Sequence, residues 1–358
     1  MRKYIISDAF MDSISHEIFM QRCLQLAATG MGQVAPNPMV GAVLVHDGRI
    51  IGEGYHQVFG QAHAEVNCVN SVPADQQELI AKSTMYVSLE PCSHHGKTPP
   101  CADLIISRRI PRVVVGCVDS FSEVAGRGIR LMREAGIEVI TGVLEAACRD
   151  LNKRFFTFHE QQRPYIILKW AQSRDGYIAG AEGQPVRISN VYTDRLVHQW
   201  RSREMGIMVG TRTALRDDPA LTTRLWPGKS PVRLVIDRHL QVPETHRLRD
   251  GSAPTIFITE KVTDAVKTIR PDFNGEIIPQ ILPQLHAENI QSVIVEGGAH
   301  LLQQFFNSGY WDEARVITGS RVIGGGVAAP LMTNAVLRDE MELHGDRIAC
   351  YVPSSSSI

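Results

Sequence analysis

Three residues constrain this chain more than anything else in it: Cys92 and Cys101, separated by SHHGKTPP, and His63 in the upstream triplet His63-Ala64-Glu65. Two thiols and an imidazole are the donor set of a zinc site whose fourth position stays open, so the fold must bring three distant points of the chain together. The local pattern indicates how. HAEVNCVNSV reads as a helix opening at His63, TMYVSLEP as a buried strand ending just before Cys92, and PCADLIISRRI as a helix behind Pro99-Pro100, where proline suits a first turn.

That placement has chemical consequences. Helix N-termini carry partial positive charge, which favours the thiolates zinc requires. Two thiolates and a neutral imidazole cancel the charge of Zn²⁺, and the metal brings a bound water from a pKa of about 9 towards about 7. Glu65, two residues beyond His63, projects differently from the ligand and can face the water as a proton shuttle to a ring nitrogen and the leaving ammonia. This is the recipe of a zinc-dependent deaminase. The alternative is a structural zinc knot, with His94, His95 or Cys68 as a fourth ligand, or no metal at all.

A chain of 358 residues is longer than one core usually supports, so two domains are expected, 12–158 and 159–352. In the first, the spacing predicts a helix from Asp12 to Thr29 capped by Asp12 or Ser13, then a hairpin over VGAVLVHDGRIIGEGYH turning at Asp47-Gly48. PRVVVGCVD is a strand ending in Asp119, GRGIRLMREAG a helix and IEVITGV a last strand; with the elements above they imply a layered α/β sheet covered on both faces. The segment ACRDLNKRFFTFHEQQRP changes character, and the boundary falls in its last part. The second half is again α/β: PYIILKWAQ, GIMVGT, PVRLVID, PTIFIT, SVIVE and WDEARVITGS read as strands, and VYTDRLVHQWRSR and AHLLQQFFNSG as helices. Glu296-Gly297-Gly298 stands where a strand turns into a helix, a place where backbone N–H groups can meet phosphate.

Charge and composition exclude other classes. Lys+Arg 37 against Asp+Glu 38, without basic runs, argues against a nucleic-acid partner. With 44% hydrophobic and 21% charged residues, no window approaches the roughly 18 to 20 apolar residues of a membrane span, and the start MRKYIISDAF makes no secretory signal. A cytoplasmic location is the expectation. The seven cysteines do not form the paired framework of a small secreted domain.

Several motifs in order carry a resemblance: Pro36-Asn37-Pro38-Met39-Val40-Gly41, Gly52-Glu53-Gly54-Tyr55-His56, His63-Ala64-Glu65 and Glu90 through Cys101, then KWAQSRDGY, GTRTALRDDPALTTR and VEGG. The chain resembles the bifunctional deaminase/reductase family of riboflavin biosynthesis over about residues 12 to 350. The resemblance implies a cytidine-deaminase-like three-layer α/β/α domain and a dihydrofolate-reductase-like α/β domain using NADPH. It implies hydrolytic deamination of 2,5-diamino-6-ribosylamino-4(3H)-pyrimidinone 5′-phosphate, then reduction of its ribosyl chain to ribityl, in a homo-oligomer, dimer or tetramer.

Carried over residue by residue, the resemblance implies His63, Cys92 and Cys101 as zinc ligands, Glu65 as catalytic, and Asn37, His56, Lys97 and Asp119 at the pyrimidine ribosyl phosphate. It places Ala171, Thr213, Asp217 and Gly298, Ala299, His300, Leu301, Leu302, Gln303 and Gln304 against NADPH, and Arg201, Leu221, Arg224 and Glu296 against the reductase substrate. Guanidinium groups suit a phosphate because they bind it through two parallel hydrogen bonds. Two stretches depart from the family: Asp119-Ser120-Phe121-Ser122, where it usually has Asp-Pro-Asn-Pro, and Pro185-Val186-Arg187-Ile188-Ser189, where it has Ser-x-Trp-Ile-(Thr/Ser). Two other functions remain open on sequence alone. One is a nucleic-acid base deaminase; the other is a deaminase joined to a decayed, structural reductase domain.

Overall fold

The computed structural model of the protein describes residues 8–93, 99–120 and 126–354, and side chains from residue 16 onward. The chain divides into two compact units between Gln161 and Gln162.

The first unit runs α1 (Asp8–Ala28), β1 (Gly41–His46), β2 (Arg49–Tyr55), α2 (Ala64–Asn70), a 3-10 segment (Ala74–Lys82), β3 (Thr84–Leu89), α3 (Cys101–Ser107), β4 (Arg112–Cys117), α4 (Arg127–Glu134), β5 (Glu138–Thr141), α5 (Glu145–Leu151) and α6 (Lys153–Gln161). Its sheet has the order β2-β1-β3-β4-β5; β1 is antiparallel to both neighbours, and β3, β4 and β5 are parallel. The two-residue period of the strands sorts their apolar side chains between two cores. Ala42, Leu44, Val113 and Val115 pack with α2, α3 and α4 through Cys68, Ile105 and Met132. Val43, Val45 and Val114 pack on the other face with α1, α5 and α6 through Met20, Cys23, Cys148 and Phe155. The result is three layers, with the sheet buried on both sides.

Two sequence expectations change here. Helix α1 starts at Asp8, so Asp12 and Ser13 lie inside it and do not cap it. The segment that seemed only to change character is a pair of helices, α5 and α6, which cover the sheet through Cys148, Phe155 and Phe156.

The second unit contains β6 (Tyr165–Gln172), β7 (Tyr177–Ala179), α7 (Val191–Arg201), β8 (Gly206–Gly210), α8 (Thr211–Asp217), β9 (Val232–Ile236), β10 (Thr255–Ile258), β11 (Lys267–Ile269), α9 (Ile277–Ala287), β12 (Ser292–Val295), α10 (Ala299–Ser308), β13 (Glu313–Thr318), β14 (Val327–Ala328), β15 (Ala335–Leu343) and β16 (Asp346–Pro353). The main sheet has the order β11-β10-β9-β8-β12-β6-β13-β16-β15. It is parallel from β11 to β13 and closes with an antiparallel hairpin. Ile166 and Leu168 of β6 face α9 and α10, whereas Tyr165 and Ile167 face α7 and α8. Asn190 caps α7, its side-chain oxygen accepting from the Tyr192 and Thr193 N–H groups. No described helix is long and apolar enough to cross a membrane.

Candidate metal centre and cofactor cleft

The metal centre forms where β3 ends and α2 and α3 begin. Strand β2 passes close under α2: a Cβ on Gly54 would sit 2.2 Å from the Cys68 nitrogen and 2.6 Å from the Ala64 oxygen, so only glycine allows the approach. This fixes the helix start that bears His63 and Glu65. Cys92 follows β3, and its carbonyl accepts the Ala102 N–H at 3.1 Å, tying it to the first turn of α3.

His63 Nδ1 lies 3.5 Å from Cys92 Sγ and 3.4 Å from Cys101 Sγ, and all three ligand atoms fall within 4.8 Å of one another. The Cys101 N–H donates to Cys92 Sγ at 3.3 Å. The Cys101 thiol, then His63, hold the Cys92 thiol well below the ordinary thiol range even against burial. This donor set, with one sulfur already favoured as thiolate, fits zinc. Cys68 is not in the cluster; its thiol donates to the Gly52 carbonyl and burial raises its pKa.

Glu65 is 3% exposed. Burial, and then the neighbouring Cys92, push its carboxyl up to about 7. A dication bound to the thiols would pull the other way, and burial is the upward push that the fold itself supplies. His56 is buried edge-on to His63, ring centroids 5.4 Å apart. Its Nδ1 donates to the Ala62 carbonyl at 3.1 Å and its Nε2 accepts from Asn37 Nδ2 at 3.1 Å, which requires the neutral ring; burial lowers its pKa accordingly.

Glu90 is the residue whose role sequence reasoning missed. Its buried carboxylate accepts four backbone N–H groups, from Asp119 (3.3 Å), Gly126 (2.9 Å), Gly128 (3.0 Å) and Ile129 (3.3 Å). It thereby closes the start of α4 and fixes the chain beside Cys92. A Cβ on Gly128 would stand 2.1 Å from the Pro91 oxygen, so this glycine and the EPC motif form one packed unit. The Asp119 backbone is anchored by this carboxylate. Lys97, His94 and His95, and Phe121 and Ser122 of the departing stretch, lie outside the described residues.

In the second unit a cleft of about 1450 Å³ opens between β6, α8, the strap over residues 181–189 and the turn from β12 into α10. Ala171, Thr213, Asp217, Glu296, Gly298, Ala299, His300, Leu301, Leu302 and Gln304 line it. Gln303 does not; its amide clamps residue 331, accepting the Leu331 N–H at 2.8 Å and donating to the Leu331 carbonyl at 3.3 Å. A Cβ on Gly297 would collide with Val209 at 2.8 Å, so the glycine pair packs directly on β8 and leaves backbone open to a ligand. The open turn and the size of the cleft fit a dinucleotide. The whole Pro185–Ser189 stretch lines the cleft, with Arg187 paired to Asp194 at 3.0 Å.

Arg201, Leu221 and Arg224 lie outside that lining. Arg201 grips Glu296 through two 2.7 Å bonds. Lys169, which sequence reasoning did not single out, adds its ammonium 3.6 Å from the same carboxylate. Burial alone would raise the Glu296 carboxyl, but Arg201 and Lys169 outweigh it and hold the group at about 2. The Arg224 N–H donates to His198 Nδ1 at 2.9 Å, so the Leu221–Arg224 segment is anchored on α7. Burial, then Arg201 and Arg224, depress His198 to about 4.

Residues 13–117 match the model of the cytidine and deoxycytidylate deaminase zinc-binding region, and residues 164–345 match that of the RibD C-terminal domain. The chain is 39% identical to the riboflavin biosynthesis protein RibD of Aquifex aeolicus, covering 87% of this chain and 88% of that one. It is 40% identical to that of Bacillus amyloliquefaciens, covering 88% of each. Among solved structures, a diaminohydroxyphosphoribosylaminopyrimidine deaminase/5-amino-6-(5-phosphoribosylamino)uracil reductase from Thermotoga maritima superposes with a TM-score of 0.87 at 35% identity, over 96% of this chain and 99% of that one.

Proposed function

The chain belongs to the RibD family of riboflavin biosynthesis proteins, and from that premise we propose which residues carry each of its two reactions. The protein is a bifunctional enzyme, a zinc-dependent deaminase with a cytidine-deaminase-like fold joined to an NADPH-dependent reductase with a dihydrofolate-reductase-like fold. Its substrate is a small molecule. The deaminase removes the 2-amino group of the ribosylaminopyrimidinone phosphate, and the reductase converts the ribosyl chain of the product to ribityl. Matches across both halves favour neither a nucleic-acid base deaminase nor a decayed reductase.

In the deaminase, His63, Cys92 and Cys101 hold zinc, which supplies a water acidified to near neutrality. Glu65 takes up a proton on its buried carboxylate, delivers it to the ring nitrogen and serves the departing ammonia in turn. Asn37, oriented by neutral His56, meets the pyrimidine edge, while Lys97 and Asp119 hold the remainder of the substrate. The observation that carries this reading is the convergence of the three ligand atoms within 4.8 Å, beside the buried Glu65 carboxyl.

In the reductase, Ala171, Thr213, Asp217, the turn from Gly298 to Leu302 and Gln304 hold NADPH, whose own chemistry supplies the hydride, while Gln303 braces the wall through Leu331. Glu296 faces the substrate as an ionised acceptor, with Arg201 fixing its orientation and charge. Leu221 and Arg224 form the substrate side, Arg224 offering the guanidinium for phosphate. Assembly as a dimer or tetramer and a cytoplasmic location are part of the same proposal. The resemblance supports the first, and seven cysteines that form no disulfide, as is usual in a reducing compartment, support the second.

Two assays on one preparation test this division. Ammonia release should require zinc loading, and NADPH oxidation driven by the deaminated product should survive chelation. Ammonia release from fully chelated protein would overturn the deaminase assignment, and substrate-independent NADPH loss alone would overturn the reductase assignment.

A further inference from the structure

Four cationic side chains line the reductase cleft: Lys169, Arg187, Arg212 and Arg216. Lys169 stands by Glu296 and Arg187 by Asp194. Arg212 and Arg216 are in no ion pair among the described residues. They lie four residues apart on α8 and therefore share a face of that helix. Arg216 is positioned by a neutral acceptor, donating to the Glu182 carbonyl at 2.8 Å. Its guanidinium rests so close over Gly183 that a Cβ there would stand 2.1 Å from it. Of the acids lining the cleft, Glu182, Asp194, Asp217 and Glu296, Asp217 feels Arg216, but burial raises its pKa nonetheless. Arg212 is exposed. The helix thus presents to the cleft two guanidinium groups that no ion pair engages among the described residues.

Their surroundings indicate what they meet. The Thr211 hydroxyl donates to the Ile236 carbonyl at 2.7 Å, which ties the start of α8 to the end of β9. Ile236, Gln241, Phe273 and Ile277 line the same cleft, apolar surface with one aromatic ring and one amide, a composition that suits a purine. The glycine turn is adjacent, since a Cβ on Gly298 would lie 3.3 Å from Thr213 Oγ1. A surface suited to a purine, a turn open to phosphate and two unpaired arginines together describe an adenine nucleotide bearing an extra phosphate monoester. Such a group carries about −1.5 to −2 charge at pH 7 and matches the guanidinium fork.

We infer that Arg212 and Arg216 hold the 2′-phosphate of NADPH and set the preference of this enzyme for NADPH over NADH. The inference rests on reading the cleft as the NADPH site. Because the substrate also carries a phosphate ester, the test must separate the two.

Calorimetric titration of the full chain with adenosine 2′,5′-bisphosphate and with 5′-AMP reads the extra phosphate without turnover. The intact protein should prefer the bisphosphate. Arg212→Ala should weaken bisphosphate binding by about tenfold or more, as expected for a lost charge-assisted bond, and 5′-AMP by less than about twofold. Arg212→Lys should fall between, and Arg216→Ala should act in the same direction. In steady state KM for NADPH should rise while kcat stays within about twofold, because the contact is remote from the hydride. Unchanged discrimination in the Arg212→Ala/Arg216→Ala double variant, or a rise in KM for the pyrimidine phosphate in place of NADPH, overturns the inference alone. If the intact protein binds neither nucleotide, the reading of the cleft fails and takes the inference with it.

Discussion

At the metal centre three ligand atoms from a strand end and two helix starts lie within 4.8 Å of one another, whereas the reductase cleft spreads over about 1450 Å³. The first site concentrates its chemistry in a few residues of rare type, each fixed by backbone contacts such as those of Glu90 and Gly54. The second is a surface assembled mostly from ordinary residues, with one buried ionic cluster, Arg201–Glu296–Lys169, at its wall. The difference follows from where reactivity comes from. A hydrolytic site must acidify its own water and move its own protons, whereas a hydride-transfer site needs chiefly to bind and orient a cofactor that is already reactive.

The comparison can be broken most sharply at the ligands. Cys101→Ser should reduce zinc content and bring ammonia release to background, while NADPH oxidation with deaminated product stays within about twofold. A parallel loss of reductase activity would show that the two sites are not built independently. On the reductase side, Glu296→Gln strands two buried cations and should cost about 3–5 kcal/mol. Urea unfolding followed by tryptophan fluorescence reads this cleanly, because Trp170, Trp200, Trp226 and Trp311 all belong to the second unit.

Two smaller effects sharpen the contrast. Glu90→Ala leaves four backbone donors without their acceptor and should destabilise the first unit by about 1–3 kcal/mol, seen as a lower melting temperature and easier loss of zinc. His198 has a folded pKa of about 4 against an ordinary 6.5, so the folded state binds fewer protons. Its contribution to stability is fully present above 6.5 and is lost as pH falls towards 4. His198→Asn keeps an acceptor for the Arg224 N–H and should flatten that slope in unfolding midpoints measured across this range.

What could be read from sequence follows the same division. His63, Glu65, Cys92 and Cys101 stood out because their residue types are scarce and their motifs contiguous, and the strands β1 to β5 because alternating or continuous apolar runs mark them. Glu90 gave no signal of its role: its four partners come 29 to 39 positions later, and only the fold brings them to it. Helix α9 was missed because no side chain caps it and Pro283 lies inside it. Strand β15 was missed because it is exposed along most of its length and shows no alternation. The Arg201–Glu296 pair spans 95 positions, and nothing local to either residue announces that the arginine is already engaged.

The central claim is that the buried Glu65 carboxylate moves the proton at a metal centre held by other residues. Zinc content and ammonia release measured on one sample of Glu65→Gln test it most directly. The account predicts zinc at the level of the unaltered protein with ammonia release reduced by at least about a hundredfold. Ammonia release near the original rate from that zinc-loaded variant would contradict it.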